Sequence, residues 1–150
     1  MSNFWDDLKF GEHWEMKFLE HIEFDSYVKK AGCFKPYDLK VYHNNKITRY
    51  EVKADRMTYK TKNIAIEYEC RNKPSGITTT RAKKWAYFEL IPNGYILYLI
   101  PVRRIRKFID LNMYKRTCSG GDNFQSQMYL FDRQVFKNYI IYHSKNIKKN

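Results

Sequence analysis

Cysteine is scarce. Cys33, Cys70 and Cys118 are odd in number, far apart and without a Cys-x-x-Cys pair. That excludes a disulfide framework and a cysteine-built zinc site, and it points to a reduced, intracellular setting, with cytoplasmic as the expected location. The four histidines, His13, His21, His43 and His143, show no zinc spacing. Long apolar runs are missing too. "YILYLIPV" is the greasiest stretch, far short of the roughly 20 residues a membrane span needs. "MSNFWDD" is acidic and leads into no apolar segment, so no signal peptide and no membrane partner are expected. No internal repeat and no Pro-, Gly- or Ser-rich linker divides the chain, which reads as one domain over residues 1–150. Acids are outnumbered, 16 against 28 lysines and arginines. Aromatics are not scarce: at 17% of residues, within 43% hydrophobic, they exclude a disordered chain and supply a core.

The net charge of +12 is uneven. Residues 1–25 hold seven acids and two lysines, a balance of −5, which leaves +17 on the other 125 residues. A body that basic suits a polyanion, because each phosphate neutralised by Lys or Arg releases counterions. Lysine, asparagine, isoleucine and tyrosine richness hints at an AT-rich genome, of a phage or a mobile element.

"YDLKVYHNNKITRYEVKAD", residues 37–55, alternates apolar and polar residues on both sides of Asn44-Asn45. Asparagine tolerates positive φ, so these two residues fit a two-residue hairpin turn. His43 then faces Lys46, and Asp38 faces Glu51, with Lys53 on the same side of the sheet. Opposed like charges destabilise a strand pair, so this arrangement calls for a cation between the carboxylates, and a divalent metal answers.

"FWDDLKFGEHWEMKFLEHIEF" reads as an amphipathic helix with Leu8, Leu19 and Ile22 on one stripe and Trp14 and Phe18 beside it. Glu12 and Glu15 fall on that stripe, so the helix is expected to turn a carboxylate toward the charged face of the sheet. "NIAIEYECR" reads as a third strand. "KPSGITTTRAKKWAYFEL" carries the signs of a second helix, with Pro74 and Gly76 breaking, threonines to cap, and Trp85 and Phe88 as its apolar side. "GYILYLIPV" is a buried strand, "RRIRKFIDL" a short basic helix, "CSGGDNFQ" a loop and "SQMYLFD" an edge strand. "RQVFKNYIIYHSK" closes the chain as helix or strand, ahead of a fraying basic tail. Residues 101–150 thus read as C-terminal additions to an α/β domain on a mixed sheet, in the order α-β-β-β-α-β.

With a helical Glu, a strand Asp and a Glu-x-Lys pair assembled, the layout resembles the PD-(D/E)XK nuclease superfamily over roughly residues 8–100. "PYD" stands where the family has Pro-Asp, with Tyr37 inserted, and "EVK" matches (D/E)XK in full, thirteen residues after Asp38. The resemblance implies a restriction-endonuclease-like fold and catalysis by Glu12, Asp38, Glu51 and Lys53. Asp38, Glu51 and the backbone carbonyl of Val52 would hold Mg²⁺, with Mn²⁺ able to substitute. Lys53 would orient or deprotonate the attacking water and stabilise charge on the phosphate. Glu67 and Glu69 read as surface or supporting residues rather than ligands.

Arg81, Lys83 and Lys84, near the start of the expected second helix, read as contacts to DNA phosphates. Arg103, Arg104 and Arg106, with Lys107, form another basic cluster; Lys29, Lys30 and Lys35 precede the active strand. The expected function is a Mg²⁺-dependent endodeoxyribonuclease that cleaves branched DNA as a homodimer or higher homo-oligomer, with duplex or branched DNA as partner and no small-molecule substrate. Two alternatives stand. One is a sequence-specific homing or restriction endonuclease reading bases through Gln125, Gln127, Arg133 and Gln134. The other is a non-catalytic DNA-binding protein on the same scaffold.

Overall fold

The structure is a computed structural model that describes residues 4–32, 35–121 and 124–144. Cys33 and the C-terminal "NIKKN" lie outside the described residues. The elements are α1 (Phe4–Leu19), β1 (Ser26–Lys29), β2 (Leu39–His43), β3 (Lys46–Asp55), α2 (Thr58–Thr61) and β4 (Asn63–Cys70). They continue with β5 (Lys73–Pro74), β6 (Lys84–Ile91), β7 (Gly94–Pro101), α3 (Val102–Asp110), β8 (Arg116–Gly120), β9 (Ser126–Asp132) and β10 (Ile140–His143). A short 3-10 turn, Gly76–Thr78, precedes β6, and a longer one, Arg133–Tyr139, precedes β10. The fold is α/β, with a mixed sheet flanked by helices, as expected, but β1 and the four-residue α2 are additions to the elements read from sequence.

The hairpin follows the register read from sequence. Asn44 and Asn45 take φ of 48° and 61°, and the ladder runs from Leu39 opposite Tyr50 to His43 opposite Lys46. Left-handed values at both turn positions match the strand twist, which is why Asn serves there. The six-stranded sheet has the order β1-β2-β3-β6-β7-β10, with β3 and β6 parallel and its other pairs antiparallel.

Residues 118–120 belong to β8 where a loop was expected, β9 lies between β4 and β8 where an edge strand was expected, and two larger expectations are corrected. The segment 74–91 holds no helix: after the Gly76–Thr78 turn, "KWAYFELI" is strand β6 in the centre of the sheet. Its buried residues face both ways: Trp85 and Tyr87 join one core, Ala86 and Phe88 the other. A strand covered on both faces is apolar without a period of two, so its pattern cannot be told from that of a buried helix. The second correction concerns β4. It leaves the first sheet and founds a second, ordered β5-β4-β9-β8. Ile64 and Ile66 point into the core while the alternate positions are partly exposed, which suits an outer, half-covered strand rather than a central one.

These elements form layers. Trp14, Phe18 and Leu19 of α1 lie on Leu39, Val41, Tyr50, Val52, Ala86, Phe88 and Leu97. On the opposite face, Trp85, Tyr87, Tyr98 and Ile100 meet Ile64, Ile66 and Phe131 of the second sheet and Ile105 of α3. Tyr87 and Tyr98 are core residues. Because Tyr50 and Val52 face α1, Glu51 and Lys53 face the second sheet. Buried Glu89 is satisfied there by Arg133 at 2.6 Å and Tyr98 at 2.8 Å.

Gly76 closes the turn before β6 with φ of +53°, and a Cβ there would run into the Glu67 carbonyl. Gly76→Ala is therefore expected to lower the unfolding free energy by about 2 kcal/mol, from the left-handed backbone and the collision together. Urea titration measures it, and an unshifted midpoint would show that this turn does not sit tightly on β4.

Candidate active site

The charged end of the β2–β3 hairpin is where the layers part. Asp38, just before β2, is 5% exposed and Glu51 is 6% exposed, yet both carry carboxylates. Asp38 Oδ2 accepts the backbone N–H of Val52 at 2.7 Å, while its own N–H donates to the Tyr50 carbonyl. The side chain thus grips the strand on which Glu51 and Lys53 ride. Glu51 Oε1 lies 3.0 Å from the Thr80 hydroxyl, and Oε2 lies 3.9 Å from Lys53 Nζ. Lys53 also rests 5.8 Å from the centre of the Trp85 ring.

Lysine supplies the cation that the opposed carboxylates require. Lys35 Nζ is 2.8 Å from Asp38 Oδ1 and 3.6 Å from Glu15 Oε1, and Lys29 holds Glu15 Oε2 at 3.5 Å. Glu15 is buried on α1, whereas Glu12, one turn earlier, is exposed on the rim of the same cleft. The carboxylate that the helix turns to the sheet is Glu15. Glu67 of β4 shares a recess with Asp38, Glu51 and Lys53 and accepts hydroxyl bonds from Ser75 at 3.0 Å and Ser126 at 2.7 Å.

The electrostatics follow from this crowding. Burial pushes the Glu51 carboxyl up to about 7, with Lys53 opposing and Asp38 adding to the rise. Burial and the neighbouring Asp38 also raise Glu15, against Lys35 and Lys29. For Lys53, burial pulls down but Glu51, Asp38 and Glu67 outweigh it, so its pKa lies above the ordinary lysine value. Lys35 behaves likewise: burial lowers it, and Asp38, Glu15 and Glu51 more than compensate. Both ammonium groups are charged at neutral pH.

Among the described residues, no three His, Cys, Asp or Glu side chains stand close enough to cage a metal ion by themselves. The donors present are the carboxylates of Glu15, Asp38, Glu51 and Glu67, all hard oxygens. They fit Mg²⁺, which keeps several waters and takes one or two carboxylates.

The expected phosphate contacts sort into groups. Lys29 and Lys30 line the cleft of about 620 Å³ that also holds Glu15, Asp38 and Lys53. Arg81, Lys83 and Lys84 lie before and at the start of β6, so the helix N-terminus expected beside them is absent. Lys83 and Lys84 instead line a recess with Arg103 and Arg106 of α3. Arg103 and Arg104 are exposed. Arg106 turns its guanidinium back to the carbonyls of Ile77, at 3.1 Å, and Thr80, at 2.9 Å. It therefore braces the segment that brings Thr80 to Glu51. Thr80 and this role of Arg106 escaped the sequence reading, since nothing in "GITTTRAKK" marks one threonine among three.

No family model and no curated protein matches the chain. Among solved structures it is similar to the 1.6 Å structure of Hjc, a Holliday junction resolvase from Archaeoglobus fulgidus, with a TM-score of 0.44 and 14% identity over 84% of this chain and 86% of that one.

The raised Glu51 carboxyl has a consequence for stability. A folded pKa of about 7 against an ordinary 4.5 means the folded protein holds this proton more tightly than the unfolded chain. The contribution is full below the ordinary value and is lost as pH rises through about 7. In EDTA, the wild type should lose about 3 kcal/mol relative to Glu51→Gln across that window. Parallel melting curves for the two proteins over this range would contradict the buried position of Glu51.

Proposed function

We propose that the protein is a divalent-cation-dependent endodeoxyribonuclease, selective for branched DNA and acting as a homodimer. The observation that carries the reading is Asp38, Glu51 and Lys53 converging at the end of one hairpin: Lys35, Asp38 and Lys53 line both the cleft that carries Lys29 and Lys30 and the recess that carries Glu51 and Glu67. Asp38, Glu51 and the Val52 carbonyl would hold Mg²⁺, or Mn²⁺ in its place, and the ion when bound supplies Lewis acidity at the scissile phosphate. Each protein group then has a task. Lys53, charged among Glu51, Asp38 and Glu67, offers its ammonium to a non-bridging phosphate oxygen, and charge stabilisation is most of the work in phosphoryl transfer. A raised pKa suits that role better than proton abstraction. Glu15, buried where Glu12 is exposed, would be the α1 carboxylate that orients the attacking water.

Selectivity for structure over sequence is favoured by what the proposed base readers do. Arg133 is tied to Glu89, Gln125 to Arg71, and Gln127 to Ser119. Arg133 is thereby withdrawn from base edges, and Gln125 and Gln127 are engaged with neighbours on the surface, while Gln134 is exposed. One site per chain cuts one strand, so paired cuts in antiparallel strands need two copies related by a two-fold axis.

The deciding experiment incubates the protein with four-way-junction, linear and supercoiled DNA, with Mg²⁺ or EDTA. Mg²⁺-dependent cutting of the junction ahead of the others supports the proposal, and cutting at one fixed sequence favours a homing or restriction enzyme. Binding without cutting in any metal leaves a DNA-binding scaffold. Lys53→Ala should lower cleavage at least about a hundredfold and leave DNA affinity, read by gel shift, nearly intact. Parallel loss of both would place Lys53 in the contact surface. Reversing Lys83 and Lys84 to Glu should weaken binding and flatten its salt dependence by roughly 0.9 in log–log slope for each phosphate contact removed. An unchanged slope would remove the β6–α3 recess from the DNA interface.

A further inference from the structure

Lys35 holds an unusual position for a surface-loop lysine. It is not carried on either strand of the hairpin; it lies on the connection from β1 to β2, between Lys30, whose N–H donates to the Asp38 carbonyl, and Pro36, whose carbonyl receives the Arg81 N–H. From there its ammonium reaches two buried carboxylates at once, Asp38 Oδ1 at 2.8 Å and Glu15 Oε1 at 3.6 Å, and it also lies within reach of the Lys30 carbonyl at 3.4 Å. The side chain is 27% exposed while those of its partners are 10% and 7% exposed. The charge is drawn inward, and the stem faces the cleft.

The two oxygens of Asp38 are not equivalent. Oδ2 is fixed by the backbone N–H of Val52, a bond that also sets the hairpin end. Oδ1 has Lys35 as its partner. With one lone pair of Oδ2 taken by the backbone, Oδ1 is the oxygen more open to an ion while the hairpin stays intact, and an ammonium 2.8 Å from that oxygen stands in its way. Mg²⁺ takes its oxygens at about 2.0–2.1 Å and carries waters with it, so the two cations do not fit together there. Coulomb repulsion between them adds to the crowding.

We infer that Lys35 is the resident counter-ion of the metal-free site, and that a divalent cation binds by displacing it. This inference rests on the metal-binding reading above and adds a competitor to it. Lys35 keeps Asp38 and Glu15 neutralised in the metal-free protein, so the site stays formed without its metal. The same contact weakens the apparent affinity for the metal, because each binding event must first break an ion pair. Lys53 plays no such part: it is borne on β3 and reaches Glu51 only at 3.9 Å, so it can keep its place with an ion bound.

The test is isothermal calorimetry of Mg²⁺ and Mn²⁺ into the wild type, Lys35→Ala and Lys35→Met, the last of which retains an apolar stem. Melting curves in EDTA and in Mg²⁺ accompany it. Both variants should bind the metal about tenfold more tightly or better. Both should melt lower than wild type in EDTA and gain more than wild type from added Mg²⁺. Circular dichroism in EDTA confirms that each is folded, and Lys35→Met is the variant to read if Lys35→Ala is not. Wild-type binding with unchanged or weaker affinity in a folded variant would overturn the displacement and leave the metal site standing. Binding by neither wild type nor variants would remove the metal site and this inference with it. Binding by the variants alone would support displacement in its strongest form.

Discussion

The site depends on one electrostatic constraint: carboxylates buried at a sheet end have to be neutralised inside the protein. Asp38 and Glu51 are each held by a backbone or hydroxyl donor and an ammonium, and Glu15 by two ammonium groups. An unpaired buried charge costs several kcal/mol, so these lysines are as much part of the fold as of the chemistry. The layers follow from the same requirement. α1 brings Glu15 from one face of the six-stranded sheet, and the second sheet brings Glu67 from the other. The cleft is where the two layers stop short of each other over the end of β3.

The part of this arrangement set by local chemistry could be read directly. Two adjacent asparagines with positive φ fixed the turn, the turn fixed the register, and the register put Asp38 beside Glu51 and Lys53. A one-residue slip would have turned all three away. What the register could not supply was the cation. Lys35 lies in an irregular connection whose path no periodicity describes, and its ammonium stands where a metal had been expected. The opposed charges were real, and an ammonium of the chain itself answers them.

The remaining misreadings share a cause in tertiary burial. Strand β6 lies under cover on both faces, which erases the alternation that marks a strand. The second helix was expected from Pro74 and Gly76, threonine caps and an apolar side, signals that a turn leading into a buried strand also gives. On α1, Leu8 helped set the helical phase, yet it is 43% exposed, and the buried positions among the described residues are Glu15, Phe18 and Leu19. A stripe drawn through i, i+3 and i+4 from Glu15 gives the true inner face and moves the inward carboxylate one turn along from Glu12. Arg106 looked like a free cation because sequence shows charge and not direction. Its guanidinium in fact spans two carbonyls of the turn before β6.

That turn ties the basic surface to the site. Arg106 braces Ile77 and Thr80, Thr80 meets Glu51, and the Arg81 N–H meets the Pro36 carbonyl next to Lys35. The neighbouring Lys83 and Lys84 share a recess with Arg103 and Arg106. A phosphate drawn to that recess would therefore press on the same short segment that positions Glu51 and anchors the Lys35 connection. Charged groups on flexible stems usually contribute little to one another across a surface. Here the link runs through backbone carbonyls and a buried hydroxyl, which are stiff. The basic recess and the carboxylates are thus joined by about six residues of chain, from Ile77 to Ala82. In that arrangement Arg106 bears on Glu51 through Thr80 without touching the carboxylate itself.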